Sequence, residues 1–105
     1  MMLVLLLLLP YSANAYDVEV DGIYYNLSID TQTAEVTNLS GTYPYIPQLT
    51  YVGDIIIPAS IEVENIQYSV ASIGNNAFSN CPQLLSVTMP NSITRIGYKA
   101  FKECI

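Results

Sequence analysis

Cys81-Pro82-Gln83-Leu84-Leu85-Ser86-Val87-Thr88-Met89-Pro90-Asn91-Ser92-Ile93-Thr94-Arg95-Ile96-Gly97-Tyr98-Lys99-Ala100-Phe101-Lys102-Glu103-Cys104 is the stretch on which the fold turns. Its end repeats what precedes it. Ile96-Gly97-Tyr98-Lys99-Ala100-Phe101-Lys102-Glu103-Cys104 overlays Ile73-Gly74-Asn75-Asn76-Ala77-Phe78-Ser79-Asn80-Cys81 at an offset of 23 residues. Ile, Gly, Ala, Phe and Cys are kept, and every position that differs is polar or a surface-tolerant Tyr. Such a pattern remains when only inward-facing side chains are constrained. The chain is therefore expected to wind in turns of one period, each burying the apolar face of its neighbour.

A second overlay extends this upstream. Pro58-Ala59-Ser60-Ile61 matches Pro90-Asn91-Ser92-Ile93, each after a short apolar run, Ile55-Ile56-Ile57 or Val87-Thr88-Met89. The prolines lie 32 residues apart, nine more than the period. Setting aside Glu62 to Val70 brings Ile61-Ala71-Ser72-Ile73 onto Ile93-Thr94-Arg95-Ile96, so the earlier unit reads as the same repeat with a nine-residue insertion. The composite pattern Cys81-x-x-Leu84-x-x-Val87-x-Met89-Pro90-x-Ser92-Ile93-x-x-Ile96-Gly97-x-x-Ala100-Phe101-x-x-Cys104 resembles the BspA-type leucine-rich repeat over about Ile55 to Cys104. Tyr16 to Asn26 likewise resembles the N-terminal capping segment of such proteins. The resemblance implies a β-rich solenoid of right-handed β/3-10 turns with an N-terminal β-hairpin or meander cap. It also implies an exported or surface-held protein that binds, often as an adhesin for host matrix or cells, and does not catalyse.

Read from its residues, one turn agrees with that fold. Val87 and Met89 alternate with Ser86 and Thr88 as a short strand does, so Val87 and Met89 are expected inward. Pro90 ends the ladder, Ile93 and Ile96 return to the core, and Gly97 allows a bend before a short helical or 3-10 turn that buries Ala100, Phe101 and Cys104. The expected repeat core is Ile73, Ala77, Phe78, Cys81, Leu84, Val87, Met89, Ile93, Ile96, Ala100, Phe101 and Cys104. The last unit stops before its own strand, which leaves an open edge.

Toward the N-terminus, Val18 and Val20 alternate with acids, Asp21-Gly22 signals a two-residue hairpin, and Ile23 to Ile29 supplies the returning strand. Ala34 to Thr37 reads as a third strand, Asn38 to Gly53 as a loop, and Ile66 to Val70 as a hairpin arm at the edge of the cap. Residues 1–15 stand apart. Met1 to Leu9 is wholly apolar and is followed by Pro10 and Ser12-Ala13-Asn14-Ala15. As a helix this run would rise only about 14 Å against a hydrocarbon core of about 30 Å, so it suits an export signal cleaved near Ala15. The expected division is a signal peptide over 1–15, a β-rich cap and loop over 16–52, and repeats over 53–105, one degenerate, one complete and one truncated.

Composition removes most catalytic classes. The chain carries nine acids, three bases and no His, for a net charge of −6. All three bases, Arg95, Lys99 and Lys102, lie near the C-terminus. It can build no His-based triad, no His metal site, no P-loop lysine and no cationic groove for nucleic acid. Asp17-x-Glu19-x-Asp21-Gly22 imitates the front of a calcium loop, but Ser28 stands where a bidentate Glu is needed. Glu62 and Glu64 are spaced as a carboxylate pair on one strand, yet nothing around them suggests a tuned acid. No enzyme activity, cofactor or metal is expected. Cys81 and Cys104 occupy the same place in successive repeats. An even count in an exported protein suggests a disulfide, whereas parallel stacked Cβ vectors suit two buried free thiols better.

Two binding surfaces follow from the pattern. One is the outward strand face, Asp54, Ile56, Ser86 and Thr88. The other is the aromatic loop with Tyr43 and Tyr45, together with Tyr51, because Tyr gives large contact area at low entropic cost. Asn26-Leu27-Ser28 and Asn38-Leu39-Ser40 are glycosylation sequons in a eukaryotic secretory pathway. The expected protein is an exported, non-catalytic binding module that recognises a protein partner, a host matrix or cell-surface protein, and forms the start of a longer adhesin. The alternatives are a small secreted, partner-dependent protein whose open C-terminal edge dimerises or stacks on a partner, a glycan-binding or hydrolytic module, and a truncated non-functional fragment of a longer adhesin. Neither nucleic acid nor a transmembrane span is expected.

Overall fold

A computed structural model describes residues 16–39, 51–102 and 104. Residues 1–15, expected to be a signal peptide, and the loop positions Tyr43 and Tyr45 lie outside these. Among the described residues eight strands are formed: β1 (Val18–Val20), β2 (Ile23–Ser28), β3 (Thr33–Thr37), β4 (Gly53–Ile56), β5 (Ser60–Val63), β6 (Ile66–Ile73), β7 (Leu84–Thr88) and β8 (Arg95–Ile96). β1, β2 and β3 make an antiparallel meander. The β1–β2 turn holds Asp21 and Gly22 at φ of 50° and 87°, both left-handed, as the hairpin turn that continues strand twist requires. Glu64 and Asn65, at 53° and 70°, close the β5–β6 hairpin in the same way. Glu64 thus sits in a turn and does not share a strand with Glu62.

The insertion is more central than its sequence suggests. β6 runs through it into the repeat and pairs in parallel with β3 on one side, while β5 and β8 share its other side. In register across β2, β3, β6 and β8 stand Tyr25, Val36, Ile73 and Ile96. Tyr25, Val36 and Ile73 are buried. The β1–β3 meander is therefore joined to the repeats by a parallel ladder with one register shift between Ala34 and Glu35, and Gly74 N–H donates to Val36 O at 2.8 Å just as Gly97 N–H donates to Ile73 O at 2.7 Å.

A second, two-stranded parallel sheet pairs β4 with β7. Asp54 faces Ser86, Ile55 faces Val87 and Ile56 faces Thr88, the offset expected for one period plus the insertion. Between the two sheets the chain makes turns, and among the described residues no helix forms, which corrects the expected helical or 3-10 turn. The cause is visible in the amides. Phe78 N–H donates to Ala100 O at 2.7 Å, and Asn76 and Asn80 N–H donate to the carbonyls of Tyr98 and Lys102. Ala77 and Ser79 N–H bond locally, to Gly74 O and Asn76 O, as Ala100 and Lys102 N–H do to Gly97 O and Lys99 O. A helix would need all of these donors for itself. Left-handed φ at Asn76, Asn80 and Lys99 breaks any helical run as well, and Asn76 and Lys99 are equivalent repeat positions.

Aromatic rings run through the core from cap to repeat. Tyr16 meets Tyr24 at 4.8 Å, Tyr24 meets Tyr51 at 6.1 Å, Tyr51 meets Phe78 at 4.6 Å, and Phe78 stacks on Phe101 at 5.2 Å with 5° between planes. Among the expected repeat-core positions, Ile73, Ala77, Phe78, Cys81 and Ala100 are buried, and Leu84, Val87, Ile93, Phe101 and Cys104 are half-buried. Met89 and Ile96 depart from expectation and are exposed. They belong to the last turn described, so a neighbouring turn covers them from one side only.

Candidate functional site

The outward face of the β4–β7 sheet gathers the first candidate surface. Asp54, Ile56, Ser86 and Thr88 are all exposed, while Ile55 and Val87 alternate with them toward the core. Ser86 Oγ donates to Asp54 Oδ1 at 2.7 Å, which holds the carboxylate across the strand pair. Gly53 faces Leu84 but Asp54 faces Ser86, so Leu85 is the extra residue of a β-bulge. A bulge re-aims the side chain at its site, and Leu85 is 77% exposed, with Ile56 at 71%. Two large apolar side chains thus flank a polar pair on one small sheet, with Val52 also exposed beside it. The repeat alignment did not single out Leu85. The adjacent pair Leu84-Leu85, which breaks the strict alternation of a strand, was the available signal.

Tyr51 corrects the second candidate surface. It is 1% exposed and serves as a latch between cap and repeat, not as a contact residue. Its hydroxyl donates to Thr37 O at 2.5 Å and accepts from Tyr24 N–H at 3.1 Å. Asn38, equally buried, donates from Nδ2 to Asn76 O at 2.8 Å. Both seal the seam where β3 meets the first turn; packing of Tyr51 there is the alternative to its surface role, and the sequence carries no signal for Asn38.

Cys81 and Cys104 are free thiols. Cys81 Sγ donates to Ser79 O at 3.7 Å and Cys104 Sγ to Phe78 O at 2.8 Å. Burial pushes both thiols above their ordinary range, which makes them poor nucleophiles. Among the described residues no group of three or more His, Cys, Asp or Glu is placed to hold a metal, and no helix is long and apolar enough to cross a membrane.

The core tyrosines couple folding to alkaline pH. Burial, helped by the nearby charge of Asp21, pushes the Tyr25 phenol up to about 12 from 10.0, and burial pushes Tyr51 further in the same direction. Both stay protonated in the folded chain where the unfolded chain has begun to ionise. Their contribution is complete below about pH 10 and is lost as pH rises toward 12, with a slope of up to about 1.4 kcal/mol per pH unit for each phenol. Urea midpoints should hold level from pH 6 to 9, since no imidazole titrates there, and fall steeply by pH 11. Tyr25→Phe should lessen that fall while costing little at neutral pH, because the Tyr25 hydroxyl has no partner among the described residues. A midpoint unchanged at pH 11.5 would refute this account of the core.

Comparison with known proteins agrees with this geometry. Residues 47–105 match the family model described as BspA type leucine rich repeat region (6 copies). A leucine-rich repeat protein from Bacteroides capillosus ATCC 29799 superposes with a TM-score of 0.59 at 28% identity, over 85% of this chain and 57% of that one. A leucine rich cell surface protein from Faecalibacterium prausnitzii A2-165 gives 0.62 at 29% identity, over 80% of this chain and 20% of that one. The leucine-rich repeat protein of T. pallidum shares the fold, with a TM-score of 0.57 at 22% identity over 83% of this chain and 35% of that one. No curated protein matches the chain. The chain spans less than two thirds of the length of each of these structures. With the family model covering more than half of its residues, the chain belongs to the BspA-type leucine-rich repeat family.

Proposed function

We propose that this chain is a non-catalytic binding module, exported through residues 1–15, with a β-rich cap over 16–52 and a leucine-rich repeat solenoid over 53–105. Its partner is a protein of the host matrix or cell surface, and it contributes to adhesion as the N-terminal part of a longer surface protein. The inter-turn ladder at the period of the repeat supports the solenoid reading, and the cell-surface protein of F. prausnitzii supports the address. One observation carries the binding site: Ile56 and Leu85 project from the β4–β7 sheet around the Asp54–Ser86 pair. Exposed apolar side chains beside a fixed polar pair are the composition of a contact patch with a polar rim.

The test is binding of the purified protein to immobilised fibronectin, laminin, collagen and fibrinogen. The combined variant Ile56→Asp, Leu85→Asp should lose at least about tenfold in affinity, equivalent to about 1.4 kcal/mol, with an unchanged melting profile because both positions face solvent. Equal binding by this variant, or no binding to any of the four, would contradict the reading.

A further inference from the structure

A second surface lies on the other sheet. Asn26 pairs with Glu35, Glu35 with Ser72, and Ser72 with Arg95, so one row crosses β2, β3, β6 and β8. It is the row next to Tyr25, Val36 and Ile73, and neighbouring rows point to opposite faces. Where that apolar row enters the core, this one carries an amide, a carboxylate, a hydroxyl and a guanidinium on the opposite face, with Arg95 exposed, Asn26 and Glu35 half-buried and Ser72 buried. Beside it is a cavity of about 220 Å³ lined by these four residues together with Ser28 and Thr33. Ser72 is the most buried of them, 7% exposed. At one end the hydroxyls are fixed to each other: Thr31 Oγ1 donates to Ser28 Oγ at 2.9 Å and lies 2.8 Å from Thr33 Oγ1.

The chemistry of the groove narrows its ligand. Arg95 Nη2 and Glu35 Oε2 stand 3.7 Å apart, close enough to balance in charge but beyond hydrogen-bond length. The donors of one and the acceptors of the other stay available. An anion would meet Glu35, a cation would meet Arg95, and an apolar ligand would find only Leu27 among the lining residues. A neutral ligand that carries donors and acceptors on adjacent carbons satisfies carboxylate, guanidinium, amide and hydroxyl together. The volume is smaller than the roughly 300–1,000 Å³ of sites for drug-sized molecules, which suits an occupant the size of a single ring. We infer that this groove at the junction of cap and repeat is a subsite for one neutral hexose of a glycan. It is separate from the β4–β7 face and does not depend on that face binding protein.

The test is titration of the ¹⁵N-labelled protein with methyl glycosides of glucose, galactose and mannose, with N-acetylneuraminic acid as the charged arm. A neutral hexoside should shift the amides of Asn26, Glu35, Ser72 and Arg95 saturably and leave those of Asp54 and Ser86 in place. Glu35→Gln and Arg95→Gln should each weaken binding about tenfold or more, with spectra that remain folded. The shift map in the unmodified protein decides the matter if either variant misfolds. No saturable shift with any neutral hexoside, shifts confined to other residues, undiminished affinity in both variants, or binding of the acidic sugar alone would each overturn the proposal. Ile56→Asp with Leu85→Asp should leave this titration unaltered, so the two surfaces succeed or fail separately.

Discussion

Phe78→Ala should lower the unfolding free energy by about 3–5 kcal/mol, the range for removing a fully buried aromatic ring. Phe78 has no exposed surface and lies between Tyr51 at 4.6 Å and Phe101 at 5.2 Å. Whether such a cavity is costly depends on whether its walls can close. Here one wall is Tyr51, held by the Thr37 carbonyl and the Tyr24 amide, and the Phe78 backbone itself is tied to Ala100. Little relaxation is available, which points to the upper part of the range. Small domains are stable by only about 5–15 kcal/mol, so the variant should be close to unfolding at ambient temperature. Phe101→Ala, at the equivalent but half-buried position, should cost less. A loss below about 1 kcal/mol for Phe78→Ala in urea titration would mean that cap and repeat do not share this core.

Gly97→Ala should be nearly as damaging for a different reason. A Cβ at Gly97 would stand 2.5 Å from Asn75 Oδ1, 2.6 Å from Asn75 N and 2.7 Å from Gly74 C. Two of these are backbone atoms of the preceding turn and cannot rotate away. The turns would have to separate, which strains Gly97 N–H to Ile73 O and Tyr98 N–H to Asn75 Oδ1, both 2.7 Å. Overpacking of this kind costs about 1–3 kcal/mol, occasionally more, and contact with fixed backbone places it at the upper end. Gly74→Ala is the control. Its Cβ would meet Glu35 Cδ at 3.0 Å and Val36 O at 3.2 Å, and the first of these belongs to a half-exposed side chain that can move. The two substitutions are the same change at equivalent repeat positions, so Gly97→Ala should destabilise more, with lost amide protection centred on Thr94, Gly97 and Tyr98. The reverse order would show that the turns do not approach as closely as described.

These two residues also show why part of the fold could be read from the chain. Ile73-Gly74 and Ile96-Gly97, with Ala-Phe three and four residues after each glycine, recur because each meets the strand before it in the same way, Gly74 N–H donating to Val36 O and Gly97 N–H to Ile73 O. Their recurrence therefore reports stacking directly. The hairpin at Asp21-Gly22 was legible for a local reason, since its backbone needs left-handed φ. What escaped was set by distant partners. Tyr51 looks like a surface aromatic until Thr37 and Tyr24 are brought to its hydroxyl. β6 reads as an edge arm until β3 pairs along it. Leu85 follows the apolar pattern and leaves the core only because the register shifts beside it. The Asn26, Glu35, Ser72 and Arg95 row is assembled from four strands, with no spacing in the sequence to announce it.

Successive turns of this chain are stacked in register one repeat apart. Amide exchange and cross-turn amide contacts, measured by NMR on the labelled protein, test this stacking most directly. Stacked turns should give slow exchange at Phe78, Thr94 and Gly97, whose N–H groups donate to Ala100, Ala71 and Ile73 at 2.7, 2.9 and 2.7 Å, together with contacts linking Ser72 to Arg95 and Ile73 to Ile96. Free exchange at all three amides, with no contact across the 72–95 and 73–96 pairs, would contradict it.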